Sequence, residues 1–327
     1  MRGTSGLRHS YVAMQQNRTA TRLWPLAGAA TLAGSLAIAN TLRARRAKRD
    51  HPPVGRFLEI EGVKLHVVEK GSGPPVLLVH GNGVMIDDWI ISGLFDDLAK
   101  TNRVIAVDRP GFGHSSRPRG IRWTPERQAD LFAALLEELD AKNALAVGHS
   151  HGALVVAAMA LNHPERLRGI ALLGGYFYPT ARADVLLVAG SAVPGYGDLL
   201  NRTLMPLLAE ALQKRINKKI FGPAEPTRRW LREFSWAMAL RPSRMRAGAA
   251  DAVHMVPAAR RLFARYGEIE LPVAIVAGRG DRLVDTATQS ERLHRDLPNS
   301  RLRVIDGVGH MVHQSAPEQV AAAVRLV

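Results

Sequence analysis

Apolar positions along this chain fall into short continuous runs separated by longer stretches with helical spacing. "PVLLVHG" at 75–81, "NRVIAVDRPGFG" at 102–113 and "ALAVGHSHG" at 144–152 share one design, an apolar run that closes on glycine. Such runs fit strands buried on both faces, as in a parallel sheet. "LRGIALLGG" and "PVAIVAG" continue the series, and "LRVIDGVGH" supplies a last strand. Ahead of them "RFLEIEGVKLHVVEKG" alternates about Glu61-Gly62, the pattern of a β-hairpin ending near Gly71. Between the runs lie helical patterns such as "TPERQADLFAALLEELD", with Thr124 as the cap and Pro125 in the first turn. Strands alternating with amphipathic helices predict βαβ units, and so an α/β fold.

One segment breaks the rhythm. The residues from Gly175 to Leu271 are helical in character throughout and too long for a connecting loop. They predict a helical lid, residues 179–270, inserted into a core of residues 51–178 and 271–327. Before His51-Pro52-Pro53-Val54-Gly55, which reads as a linker, residues 1–50 form a basic arm. Within the arm, "WPLAGAATLAGSLAIANTL" at 24–42 carries no charge. As a helix it would reach about 28 Å, the thickness of a bilayer core, and it predicts a membrane anchor. Trp24 at one edge and "RARRAKR" at the other favour that reading and leave the folded part in the cytoplasm. Three alternatives stay open: an export signal ending at Ala37-Ile38-Ala39, a mitochondrial transit peptide, or a disordered extension, which a misplaced start would lengthen if Met14 were the true one.

Composition narrows the chemistry. With no cysteine among 327 residues there is no disulfide, thiolate metal site or cysteine nucleophile. The net charge of +15 is localised. Residues 1–50 hold nine basic side chains against Asp50 alone, and residues 179–270 hold fifteen against eight acids, which leaves the core near neutral. A nucleic-acid binder would carry its positive stripe across the main fold, so nucleic acid is not an expected partner. The basic lid attracts an anionic substrate, lies against anionic lipid, or is a solvated helical face.

"Gly-His-Ser-His-Gly" at 148–152 matches G-x-S-x-G, after an apolar strand and before a helical run. A tight turn there needs the glycines but not the serine. Ser150 becomes a nucleophile only if a base accepts its proton. His310, in the Gly-rich "DGVGHMVHQSAPE", is the candidate base, with His313 as its rival. Asp281, in "VAGRGDRLVD", is the candidate orienting acid, with Asp285 as its rival. Serine, then acid, then histidine is the chain order expected of this architecture. The backbone N–H groups of Asn82, in "HGNG", and of His151 are the candidate oxyanion donors. Gly83, His149 and Tyr176 are candidate pocket residues, although His149 reads first as packing behind the site. Asp108 and Arg109 are expected to brace their loop rather than react. Carboxylates are scarce around the histidines at 80, 114, 149, 151 and 310, so no metal site is expected.

Taken together, "HGNG", "DRPGFGHSSRP", "GHSHG", "GRGDRLVD" and "GVGHMVHQSAPE" resemble the α/β-hydrolase superfamily, in the group that holds epoxide hydrolases, haloalkane dehalogenases and small-ester or C–C hydrolases. The resemblance spans residues 56–327 and implies an eight-stranded, mostly parallel sheet with helices on both faces and no cofactor. Similar dehalogenases and epoxide hydrolases carry aspartate where this chain has Ser150. A serine adduct to an alkyl carbon would be an ether, which water does not cleave readily. Acyl transfer to water is therefore the expected chemistry, on an ester, thioester or lactone that is lipophilic or anionic. A C–C hydrolase of β-diketone-like substrates and a silent scaffold are the alternatives. Tyr176, Tyr178, Tyr196 and Tyr266 are the tyrosines that could polarise an epoxide if that chemistry applied.

Overall fold

The computed structural model describes the backbone of residues 5–327, with side chains described from residue 28 onward except at 183, 184 and 187. Strands β1 (Arg56–Ile60) and β2 (Val63–Lys70) form the expected hairpin. Its two turn residues, Glu61 and Gly62, have φ of +49° and +75°, the left-handed pair that a type I′ turn requires. Then come β3 (Pro75–Val79), β4 (Arg103–Val107), β5 (Ala144–His149), β6 (Leu167–Leu173), β7 (Val273–Gly278) and β8 (Ser300–Ile305). They form one eight-stranded sheet in the order β1-β2-β4-β3-β5-β6-β7-β8. Only β2 runs against its neighbours; every other pairing is parallel.

Helices on both faces explain why the central strands are apolar without alternation. Leu77 and Val79 of β3 join one core with the helices Pro125–Glu138 and His151–Asn162. Val76 and Leu78, pointing the other way, join a second core with Trp89, Phe95, Val320 and Val324. The helix Pro125–Glu138 starts as its sequence predicts, with the Thr124 hydroxyl accepting from the Arg127 N–H. Between β6 and β7 the chain is helical from Ala183 to Glu268, ending in the long helix Pro242–Leu262. These helices lie over the carboxyl end of β5, where Ser150 emerges.

The arm departs from expectation. Ser5–Asp50 is one helix, but among the described residues no helix is long and apolar enough to cross a membrane. The spanning reading of 24–42 is therefore corrected. Its run is made largely of Ala, Gly and Thr, which contribute too little apolar surface. From residue 33 on, the helix turns a stripe of mostly small residues inward, at Ala33, Leu36, Ala37, Asn40, Ala44 and Ala47. That stripe packs on the inserted helices. The Asn40 amide donates to the carbonyls of Arg202 and Thr203, both at 2.9 Å, and satisfies two carbonyls near a helix end. Ala47 is buried in a cluster with Val84, Met85, Phe221 and Trp230.

Placing a carboxylate at that buried alanine tests the docking. Ala47→Glu is expected to free the helix and speed tryptic cleavage among Arg43, Arg45, Arg46, Lys48 and Arg49 at least tenfold, while fragments covering 56–327 stay resistant. Cleavage at the wild-type rate would contradict the packing.

Candidate active site

Ser150 follows the last residue of β5 and precedes the helix His151–Asn162, with φ +53° and ψ −117°. That conformation costs a non-glycine residue about 1–3 kcal/mol and persists because its surroundings allow no other. A Cβ at Gly148 would lie 2.4 Å from the Gly152 carbonyl oxygen, and one at Gly152 would lie 2.1 Å from that of Val79. Both glycines are required by close backbone approach, as the sequence suggested. The Ser150 N–H donates to the Leu173 carbonyl at 2.9 Å, which ties the turn to β6.

The three separated residues meet here. Ser150 Oγ lies 2.8 Å from His310 Nε2, and His310 Nδ1 lies 2.7 Å from Asp281 Oδ2. A carboxylate only accepts, so Nδ1 carries the proton and Nε2 is left free to accept from the serine hydroxyl. The other oxygen of Asp281 accepts from the N–H groups of Leu283 and Val284 at 2.8 and 2.9 Å, which fixes its orientation. The rivals are engaged elsewhere. Asp285 accepts from the N–H and hydroxyl of Thr288. His313 Nε2 lies 2.9 Å from Asp88 Oδ2 in a fully buried pair.

His80-Gly81-Asn82-Gly83 passes directly beside the nucleophile, since a Cβ at Gly81 would lie 3.1 Å from that of Ser150. The orientation of this turn is set from beneath. The Gly81 carbonyl accepts from His80 Nδ1 at 2.8 Å and from Arg109 Nη2 at 3.2 Å. In a trans peptide the N–H points opposite to the C=O. Holding the Gly81 oxygen on the Arg109 side therefore turns the Asn82 N–H away from it. His151 opens its helix, so its N–H has no partner within that helix. Asn82, Gly83, Ser150 and His151 line one cavity of about 380 Å³. The Asn82 amide donates to the Gly248 carbonyl at 2.9 Å, which joins the turn to the long helix above it.

Two buried networks were not foreseen. Arg109 is completely buried, and its guanidinium also donates to the His80 carbonyl, to Gln128 and to Asp251. Asp251 belongs to the long inserted helix and also accepts from Arg117 at 2.8 Å. Burial pushes the Asp251 carboxyl up, but Arg117 and Arg109 outweigh it and hold it below the usual carboxylate range. Its one sequence signal is a lone acid in the helix 242–262. Beneath His310 lies a buried group of Asp88, His149 and His313. His149 Nε2 lies 3.1 Å from the His310 carbonyl, and Gln314 donates to Asp88. His149 thus sits behind the site and is not among the residues lining the cavity, which corrects the pocket assignment. This group brings together a carboxylate and imidazoles that are far apart in sequence, the kind of donor set a metal ion takes. It is enclosed away from the cavity that Ser150 faces.

Tyr176 does line the cavity, yet its hydroxyl donates to the Thr180 carbonyl and accepts from the Thr180 N–H, both at 2.8 Å. Tyr178 donates to Asp296 and Tyr266 to the Phe177 carbonyl, while Tyr196 is exposed. Among the described residues, no pair of tyrosine hydroxyls is left to polarise an epoxide. His151 is buried with both ring nitrogens unpartnered, 3.8 Å from Asp251 at its nearest. Burial, and then the Arg109 charge, lower its pKa to about 3, so the ring is neutral. His80 is lowered to about 4 by the same two causes.

Residues 74–317 match the sequence model of the α/β-hydrolase fold. The chain belongs to the α/β-hydrolase family. Among its relatives, this hydrolase is 28% identical to a 2-hydroxy-6-oxo-2,4-heptadienoate hydrolase of Pseudomonas putida, over 84% of this chain and 95% of the relative. It is 25% identical to haloalkane dehalogenase 2 of Mycobacterium tuberculosis, over 84% and 94%. Among solved structures, a bacterial membrane phospholipase A described as a virulence factor superposes with a TM-score of 0.65 at 21% identity, over 98% of this chain and 97% of that one. At that identity the likeness is one of fold, and it extends through the arm.

Two measurements test this geometry. Arg109→Met is expected to lower kcat about a hundredfold, the value of one misaligned oxyanion donor, with KM changed less than threefold. Equal damage to both constants would mean that the residue acts on binding instead. His151 is neutral in the fold but titrates near 6.5 when unfolded, so the unfolded state binds the extra proton and stability falls as pH drops below 6.5. Between pH 6.5 and 5 that loss is about 2 kcal/mol for this histidine, and urea unfolding of His151→Gln should show a pH slope shallower by that amount.

Proposed function

We propose that this α/β hydrolase cleaves an ester, thioester or lactone through a Ser150 acyl-enzyme, with residues 179–270 acting as a lid over the substrate. The observation that carries the reading is the continuous hydrogen-bonded line from Ser150 Oγ through His310 to Asp281 at the floor of a cavity. His310 Nε2 takes the serine proton as Oγ attacks the carbonyl carbon. The carbonyl oxygen becomes an oxyanion held by the N–H groups of Asn82 and His151. His310 then gives its proton to the leaving oxygen or sulfur as that bond breaks. A water molecule, deprotonated by the same nitrogen, attacks the acyl carbon, and the returning proton restores Ser150. Throughout, Asp281 keeps the Nδ1 proton in place and stabilises the imidazolium.

The haloalkane dehalogenase likeness does not carry that chemistry here, because an alkyl ether on Ser150 would not turn over. A second reading, hydrolysis of a C–C bond in a β-diketone-like substrate, draws support from the 28% identity to the 2-hydroxy-6-oxo-2,4-heptadienoate hydrolase. It uses the same serine, base and oxyanion donors on a ketone carbonyl.

A fluorophosphonate probe is expected to modify Ser150, with no labelling of Ser150→Ala and labelling of His310→Ala slowed at least a thousandfold. Parallel assays with p-nitrophenyl butyrate and with 2-hydroxy-6-oxo-2,4-heptadienoate separate the two readings. A kcat/KM tenfold higher on the dienoate would favour the second, and absence of labelling would overturn both.

A further inference from the structure

The cavity above Ser150 is chemically one-sided. Its basic lining residues are Arg182, Lys219 and Arg244, and among the described residues no aspartate or glutamate lines it. Most of the remaining wall is apolar, including Val188, Ile216 and Met255. Arg244 comes from the long inserted helix and reaches the oxyanion turn, its Nη2 lying 3.0 Å from where a Cβ on Gly83 would be. Gly83 has φ +99°, so the turn and the room for the guanidinium both depend on that glycine.

The Arg244 guanidinium makes no hydrogen bond or ion pair with any described residue; it packs over the Phe112 ring, with Cζ 5.6 Å from the ring centre. The charged groups that act on it are Arg241, Arg109 and Asp251. The first two repel it. Asp251, the one acid, has both oxygens engaged by Arg109 and Arg117. A guanidinium carries five N–H donors in a fixed fork that matches a carboxylate or phosphate. Facing a largely apolar cavity that no acid lines among the described residues, this one lacks the partner it is shaped for.

We propose that Arg244 is the receptor for an anionic group on the substrate, so that the cavity selects acyl compounds bearing a carboxylate or phosphate near the reacting carbonyl. The proposal rests on the Ser150 reading for the chemistry and adds the substrate class. Geometry sets the spacing. Gly81 touches Ser150, and Gly83 follows two residues on at ~3.8 Å each, so the anion and the scissile carbonyl lie within roughly 10 Å, the reach of a short acyl chain. Lys219 adds charge of the same sign along the wall. A substrate of this kind places its anion on Arg244 while its carbonyl oxygen enters the Asn82 and His151 donors. An acyl chain extends between Val188 and Met255.

The test compares esters that differ only in charge: p-nitrophenyl butyrate against the mono-p-nitrophenyl ester of glutaric acid, and a monoacylglycerol against its phosphorylated counterpart. The intact chain is expected to favour the charged member of at least one pair tenfold or more in kcat/KM. Arg244→Gln should lower that preference at least tenfold, mainly through KM, and Arg244→Lys should restore part of it. A preference confined to the glutarate identifies a carboxylate, and one confined to the phosphorylated lipid identifies a phosphate ester. A preference that survives in Arg244→Gln, or is absent from the start, overturns the proposal while leaving ester hydrolysis intact. If neither neutral nor charged ester is cleaved, the Ser150 reading fails. Arg244 is then tested by glutarate binding in calorimetry, where equal affinity of the wild type and Arg244→Gln overturns it.

Discussion

Gly148, Gly152 and the backbone of β3 approach one another so closely that no side chain fits between them, and the strained turn at Ser150 follows from that contact. The strand must stop, reverse and enter a helix within about two residues. A serine at the apex is left with its hydroxyl 2.8 Å from His310 Nε2, beside the His151 N–H that its helix does not use. The surrounding structure serves this one constraint. β6 accepts the Ser150 N–H, the loop after β8 delivers His310, and the loop after β7 delivers Asp281. An alanine at either glycine would push the helix off the strand before it affected any chemistry.

Around that turn, buried charge acts as a fastener. Arg109 lies wholly inside the protein, where an unpaired guanidinium would be strongly destabilising, and it is tolerated because Asp251, Gln128 and two carbonyls satisfy it. Asp251 is also held by Arg117. The inserted helices and the oxyanion turn therefore share one ion network, and neither can shift without breaking it. On the other side, Asp88 with His149, His313 and Gln314 fixes the loop that carries His310. Ser150, His310 and the Gly81–Asn82 turn are thereby held by the core on one flank and by the inserted helices on the other.

Much of this could be read in the sequence wherever the determining interactions are local. The Glu61-Gly62 hairpin, the Thr124 cap and the glycine-bracketed serine each depend on neighbours a few residues away. The continuous apolar runs predicted central strands because burial on both faces leaves no polar position. The arm was misjudged on length and absence of charge. Its small residues proved to be a packing stripe against the inserted helices, a use that hydrophobicity alone does not separate from a weak membrane span. His149 was drawn into the pocket by its place beside Ser150, although consecutive side chains on a strand point to opposite faces.

The sequence by itself determined the order of strands and helices, the turn that presents Ser150 and the identity of the base and acid that could serve it. These follow from periodicity, steric limits on the backbone and a fixed chain order. Only the tertiary structure decided that Arg109 turns the Gly81–Asn82 peptide, that Asp251 joins the inserted helices to it, and that Arg244 faces a cavity lined by no acid among the described residues. Those outcomes depend on groups 28 residues apart in one case and 142 in another meeting in space, and no local pattern records which charge will find a partner.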